Sequence, residues 1–277
     1  MTNLLIVDFR RVLKDKLLLV MGILAVAFSL LNGLIMGVAA GFMTSEDMEM
    51  MTAMGMGLEA KSQFFSAFSF GNNVGLIAPV LLAIILCKDF GSGTIRNKII
   101  AGYRRVSILL SLFIVCLTVM FAVMLLYAVL TLVICLFFMP FQSGDFGAGD
   151  AGYLLLSLGL EFLLYLMASA LIAYLCASQK NVGLVIVLYV AVVMVLTLLG
   201  SILASVAMVL ENLGGYDTAL NVIDVIQRIN PLSFSMEIGQ GSSYESGDLL
   251  NYVLAPLGLT VLFLGWGILK FKKKDLK

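Results

Sequence analysis

The chain contains no histidine among its 277 residues, and that absence removes every Ser-His-Asp triad and every histidine-bearing zinc site. It also lacks a Gly-x-x-x-x-Gly-Lys-Ser/Thr run, so it has no phosphate loop with which to cradle a nucleotide by that mechanism. Charge is scarce as well, at 12% of residues against 61% hydrophobic. With a mean hydropathy of +1.08, this composition excludes a water-soluble globule. The four cysteines, Cys87, Cys116, Cys135 and Cys176, have neither metal-ligand spacing nor an extracellular pairing pattern. They read as small buried apolar residues.

What the chain has instead is long apolar runs. A helix needs about 20 apolar residues to cross roughly 30 Å of hydrocarbon, and six stretches meet this: about 17–42, 64–87, 106–138, 152–177, 182–210 and 250–270. They are continuously apolar rather than alternating, which favours helices over a β-barrel. The expected fold is therefore all-α: a polytopic membrane protein with six transmembrane helices in one transmembrane domain over 1–277. The first run is too long for a signal-peptide core and is expected to stay as a span. The third, at 33 residues and about 50 Å, exceeds the bilayer and must tilt or project; if it projects inward, it lifts the preceding segment away from the membrane.

Orientation follows from lysine and arginine, which are retained on cytoplasmic flanks. Arg10, Arg11, Lys14 and Lys16 precede the first span, and Lys88, Arg96, Lys98, Arg104 and Arg105 follow the second. Lys180 separates the fourth and fifth, and Lys270, Lys272, Lys273, Lys274 and Lys277 follow the sixth. Six spans put all of these on one side, leaving Lys61 and Arg228 on the other. Both termini are thus expected in the cytoplasm, with acidic residues such as Glu46, Glu59, Asp145, Glu211, Asp224 and Asp248 outside. Nothing in this pattern points to nucleic acid.

Between the spans lie shorter signals. Residues 3–16 place Leu5, Phe9, Val12 and Leu13 on one helical face and Asp8, Arg11, Lys14 and Asp15 on the other, the pattern of an interfacial elbow helix. In 88–105, Gly91 and Gly93 break the preceding helix, Thr94 is placed to cap a new one, Ile95 and Ile99 share a face, and Gly102 ends it. About two turns of helix result, stable only against a partner. Ile95 and Ile99 are the expected packing contacts, with Arg96 and Lys98 supplying charge at the rim. Residues 211–249 form the largest outer segment, in which Leu220, Ile223, Ile226 and Ile229 suggest a second interfacial helix closed by Asn230–Pro231.

This layout resembles the permease subunits of ABC-2 type exporters, particularly the six-span kind associated with export of bacitracin and lantibiotics. The sharpest local match is Gly93–Thr94–Ile95–Arg96–Asn97–Lys98, followed by Gly102 and Arg104–Arg105. It is similar to that family's coupling helix; where the family often has a preceding glutamate, this chain offers Asp89. The resemblance implies a separate ATPase subunit in two copies, carrying the ATP and Mg, and a second six-span permease, most simply another copy of this chain. It also implies a bacterial plasma membrane, and no cofactor or enzymatic site in this chain itself. In the family the second and fifth spans line the route. Here those spans offer Ser66, Ser69, Asn72 and Asn73, then Thr197 and Ser201, with Pro79 available as a hinge or as a packing element. So sparse a set of oxygens suits an amphipathic or hydrophobic cargo, such as an antimicrobial peptide, better than an ion. The other readings are a sodium- or ion-extruding permease and a non-transporting anchor or sensor for a partner enzyme.

Glu161 is the carboxylate expected well inside a span. It is either a hydrogen-bonded residue at a helix interface, with Tyr165 one turn on, or a proton- or cation-sensing group. Met43, Met48, Met50, Met51, Met54 and Met56 lie in an outer loop with no histidine or cysteine beside them, so a pliable apolar surface is favoured over a cuprous site. Gly147–Ala148–Gly149–Asp150 and Tyr216–Asp217 superficially resemble the paired aspartates of intramembrane proteases. They fall outside the expected spans, as turn chemistry.

Overall fold

The computed structural model describes residues 2–42, 59–139, 141, 147–179, 181–233, 235 and 246–273. Among these there are ten helices and no strand. In chain order they are α1 (Thr2–Lys14), α2 (Lys16–Phe42), α3 (Ala60–Phe68), α4 (Asn73–Gly91) and α5 (Thr94–Ile100). Then follow α6 (Arg105–Cys135), α7 (Ala148–Ser178), α8 (Val182–Leu213), α9 (Asp217–Ile229) and α10 (Ser246–Lys273). Six of them, α2, α4, α6, α7, α8 and α10, are long and apolar enough to span a bilayer. The chain is an all-α, multi-pass membrane protein.

The spans are not equivalent. More than half of the apolar stretch of α4, α6 and α7 is buried, at 56%, 61% and 61%, against 22%, 17% and 22% for α2, α8 and α10. The first three therefore form the interior, and the others clad it. Peripheral helices dock through small residues: Ile134 of α6 and Phe138, in the turn that follows it, seat on Gly33 and Gly37 of α2, a close approach of the kind that holds helices together in lipid. On α10, Gly267 lies against Tyr174 of α7, whose ring stacks with Phe263 and Trp266. The α1 helix, the α4–α6 connection and the end of α10 meet at one end of the bundle.

Two expectations are corrected. The second span is not one helix. It breaks between α3 and α4 at residues 69–72, and the break lies at the level of Phe121, midway along α6. Here Asn72 caps α4, its side-chain oxygen accepting from the Gly75 N–H at 2.9 Å, while its amide nitrogen donates to the carbonyls of Ser66 and Ala67. The segment ahead of the third span also does not stand free of the bundle. Although α6 has 31 residues, α5 folds back against the bundle, with Ile95 buried.

The predicted elbow helix forms as α1, but rotated: its buried residues are Leu4, Asp8 and Val12, and Leu13 is exposed. The predicted outer helix forms as α9 and ends at Asn230 as expected. Asp150 and Asp217 belong to the first turns of α7 and α9 rather than to loops. The methionines of residues 43–56 lie outside the described residues.

Gly75 sits where the broken span folds tightest. A Cβ there would meet the Phe70 carbonyl oxygen at 2.2 Å, and backbone cannot swing aside as a side chain can. Gly75→Ala is expected to destabilise the protein by about 1–3 kcal/mol, read as a lowered Tm of the purified protein in detergent. An unchanged Tm would contradict this packing.

Candidate coupling surface and intramembrane carboxylate

At the end of the bundle where α1, α4, α5 and α6 converge, three buried charged side chains, Asp8, Asp89 and Lys98, and the half-buried Arg11 form an electrically neutral cluster. Lys98 of α5 donates to Asp8 of α1 at 2.6 Å and lies 3.4 Å from Asp89 of α4. Arg11 of α1 pairs with the other oxygen of Asp89 and donates to the Ile85 carbonyl at 3.3 Å. The Ser111 hydroxyl of α6 satisfies the second oxygen of Asp8 at 2.7 Å. Asp8 and Asp89 are each only 2% exposed, so the pairing matters: a charge taken out of water is costly unless paired and hydrogen-bonded. Burial pulls the Arg11 guanidinium below its ordinary value, against the pull of Asp8 and Asp15. Nearby, burial pushes the Asp15 carboxyl up, but the Leu17 N–H, 3.0 Å away, and Lys88 at 3.0 Å outweigh it and hold it below its usual range.

This cluster decides which face of α5 is free. Ile95 is buried inside the chain, Ile99 is half-buried, and Lys98 is committed to two carboxylates. The expectation that Ile95 meets a partner and Lys98 lies at the rim is thus overturned, because the internal charge pairs orient the helix. What faces outward is Arg96, Asn97, Gly102 and Arg104, with Ile100 74% exposed as the one large apolar side chain in the patch. Gly93, not Thr94, is the N-cap; its φ of 72° is left-handed, and the Thr94 hydroxyl meets the Ser92 hydroxyl instead. Gly102, with φ 89°, turns the chain after α5 as expected. Arg105 reaches the end of α10, donating to the carbonyls of Phe271 and Lys272 at 3.1 and 2.9 Å, where a cation offsets the helix dipole. Sequence reasoning assigned Asp8 to the polar face of α1 and did not see Ser111. The signal was present in the four-residue spacing of Leu4, Asp8 and Val12.

A second constellation lies within the bundle. Glu161 of α7 is 1% exposed and accepts from the Phe70 N–H at 2.9 Å, a backbone donor that the helix break has freed. Its other oxygen is 3.5 Å from the Ser235 hydroxyl. Ser235 in turn meets Ser69, whose hydroxyl lies 3.0 Å from the Ser235 carbonyl. Tyr165 does not bond Glu161, as the sequence suggested; it donates to the Phe68 carbonyl at 2.5 Å. Rings of Phe68, Phe70, Phe121, Phe162 and Tyr165 pack on one another beside the helix break. The carboxylate and the phenol therefore replace hydrogen bonds that an unbroken helix would have made, in a place where water is unavailable. Gly71, Asn72 and Asn73 in mid-run were the sequence signal of this break.

The expected route residues are not brought together. Ser66 is exposed, Ser69 is buried against Ser235, Asn72 is a cap, Asn73 opens α4, and Pro79 is buried within it. Thr197 and Ser201 of α8 turn back to their own helix, donating to the Val193 and Thr197 carbonyls at 2.6 and 2.9 Å. A cavity of about 360 Å³ does open at the far end of the bundle, between α8 and α9, bordered by Gly200, Met208, Glu211, Asp224, Arg228 and Tyr252.

No protein-family model matches this chain, and no curated protein matches it.

Two expected outcomes follow from these sites. Lys98→Met strips buried carboxylates of their cation and should cost about 3–5 kcal/mol, whereas Arg96→Met, on the open face, should stay within about 0.5 kcal/mol; thermal unfolding of both variants compares them, and equal losses would refute the assignment of faces. Glu161→Ala leaves the Phe70 N–H bare and should cost about 1–3 kcal/mol, while Glu161→Gln keeps an acceptor oxygen and should cost less. If Gln unfolds as readily as Ala, charge rather than hydrogen bonding is the role of Glu161.

Proposed function

We propose that this chain is the membrane half of an ATP-driven exporter, coupling hydrolysis by a separate nucleotide-binding subunit to the outward movement of an amphipathic or hydrophobic compound. The observation that carries this reading is the build of α5. A seven-residue helix has no stability of its own, yet here it is fixed to two other helices, α1 and α4, by the buried charge of Lys98, leaving a basic face with a single apolar knob. A surface made this way suits a docking groove with an apolar socket for Ile100 and acidic groups for Arg96 and Arg104. ATP and Mg belong to that partner, because this chain has no phosphate loop.

The remaining features fit the same reading. Lysine and arginine gather at the end of the bundle that carries α5, so that end and both termini are assigned to the cytoplasm of a bacterial plasma membrane. The faces of α2 and α8 that the chain leaves uncovered are available to lipid or to a second six-span subunit, and a homodimer is the simplest assembly. Glu161 is engaged with backbone and a serine rather than with a shell of oxygens open to an ion, which favours an apolar cargo over ion extrusion.

Affinity purification from the native host, with identification of co-purifying soluble subunits, tests the proposal. A nucleotide-binding protein is expected, and both Arg96→Glu and Ile100→Asp should weaken its binding more than tenfold, with the Tm of this chain little changed. Recovery of no such protein, or binding indifferent to both substitutions, would sink the reading.

A further inference from the structure

Cys87 and Cys176 stand apart from the other two cysteines. Cys87 is in the last part of α4 and Cys176 in the last part of α7, 89 residues apart in sequence, and their Sγ atoms lie 2.7 Å from one another. The Cys176 thiol also points at the Ala83 carbonyl of α4, 3.9 Å away and one turn before Cys87, so the contact joins α4 to α7. Both thiols are buried, Cys87 at 6% exposure and Cys176 at 1%. Cys87 is followed at once by the exposed Lys88 and then by Asp89 of the charge cluster. By contrast, Cys116 and Cys135 lie on one helix, α6, 19 residues and about 28 Å apart along its axis, so they cannot pair with each other.

We propose that Cys87 and Cys176 form a reversible redox pair, oxidised by a small, membrane-permeant peroxide to a disulfide that ties α4 to α7 just above the docking segment. Burial keeps bulky oxidants and charged thiols out, but hydrogen peroxide is little larger than water. The step balances as follows. The Cys87 thiolate attacks one peroxide oxygen; the O–O bond breaks, an S–O bond forms, and the departing hydroxide takes the thiol's proton as water. The Cys176 sulfur then attacks the Cys87 sulfur of the sulfenic acid, the S–S bond forms as the S–O bond breaks, and the second hydroxide leaves as water with the Cys176 proton. The two sulfurs together lose two electrons, and the peroxide gains them. A thiol reductant reverses the change by exchange. Resting on the exporter reading, the consequence is regulatory: α4 carries Asp89, and Asp89 holds α5, so fixing α4 to α7 stiffens the path between the docking face and the interior.

The test counts thiols in the full-length protein, purified reduced in lipid nanodiscs and denatured in the presence of a polyethylene-glycol maleimide. Four adducts are expected before treatment with hydrogen peroxide and two after it, returning to four with dithiothreitol. Cys87→Ala and Cys176→Ala should each start at three and form no reducible intramolecular disulfide. The oxidised wild type should melt at higher temperature than the reduced, since the bond closes a long loop. Four labelled thiols after peroxide, or a reducible loss of two thiols in either variant, would overturn the pairing. With the partner ATPase added, peroxide should lower transport by the wild type and leave Cys87→Ala unaffected. Undiminished transport by a protein whose thiol count has fallen to two would overturn the regulatory role while leaving the disulfide in place, and failure to find any ATPase would count against the exporter reading alone.

Discussion

The absence of water inside a bilayer is the constraint on which this structure rests. Every backbone donor and acceptor at that depth needs a protein partner, and continuous helices meet the need in α2, α6, α7 and α8 without help. The run made of α3 and α4 does not, because Gly71, Asn72 and Asn73 interrupt it, leaving 9 residues in α3 and 19 in α4. Side chains then take over: Asn72 turns on both ends of the break, Tyr165 takes the Phe68 carbonyl, and Glu161 takes the Phe70 N–H. A carboxylate that would otherwise be an expensive group in an apolar bundle becomes a buried structural acceptor.

The same physics operates in a second form at the end of the bundle. Asp8, Arg11, Asp89 and Lys98 come from three separate helices, and the three that are buried, Asp8, Asp89 and Lys98, depend on one another for their neutralisation. Their mutual neutralisation fixes the rotation of α1 and of α5 together. For α1 this turns Asp8 inward and leaves Leu13 outside; for α5 it turns Ile95 and Lys98 inward and leaves Arg96 and Ile100 outside. Any partner of α5 therefore meets a face selected by internal electrostatics, and a push on that face is felt first by α1 and by the end of α4. Cys87 lies two residues from Asp89, at the same mechanical junction.

Composition and hydropathy were enough to read the membrane class, the helical fold and the number of spans. Each of those properties depends on the sum of many apolar residues, which local sequence records directly. The positions of α1, α5 and α9 were also legible, since apolar spacing, glycine punctuation and the Asn230–Pro231 pair are local signals. Facing was not. Hydrophobic periodicity placed Asp8 and Arg11 on a solvated side of α1 because charge is normally exposed, and only the arrival of Lys98 from 90 residues away reverses that.

By itself, then, the sequence determined what kind of medium this chain inhabits and where most of its helices lie, because transfer free energy acts residue by residue, but not the break at residues 69–72. It also determined what the chain cannot do, since no fold supplies a histidine or a phosphate loop that the polypeptide lacks. Tertiary structure alone decided which polar groups are partners: Glu161 with Phe70, Lys98 with Asp8 and Asp89, and Cys87 with Cys176. The physical reason is that hydrogen bonds, ion pairs and sulfur contacts act over a few ångströms, and only packing brings residues 9 to 91 positions apart within that reach.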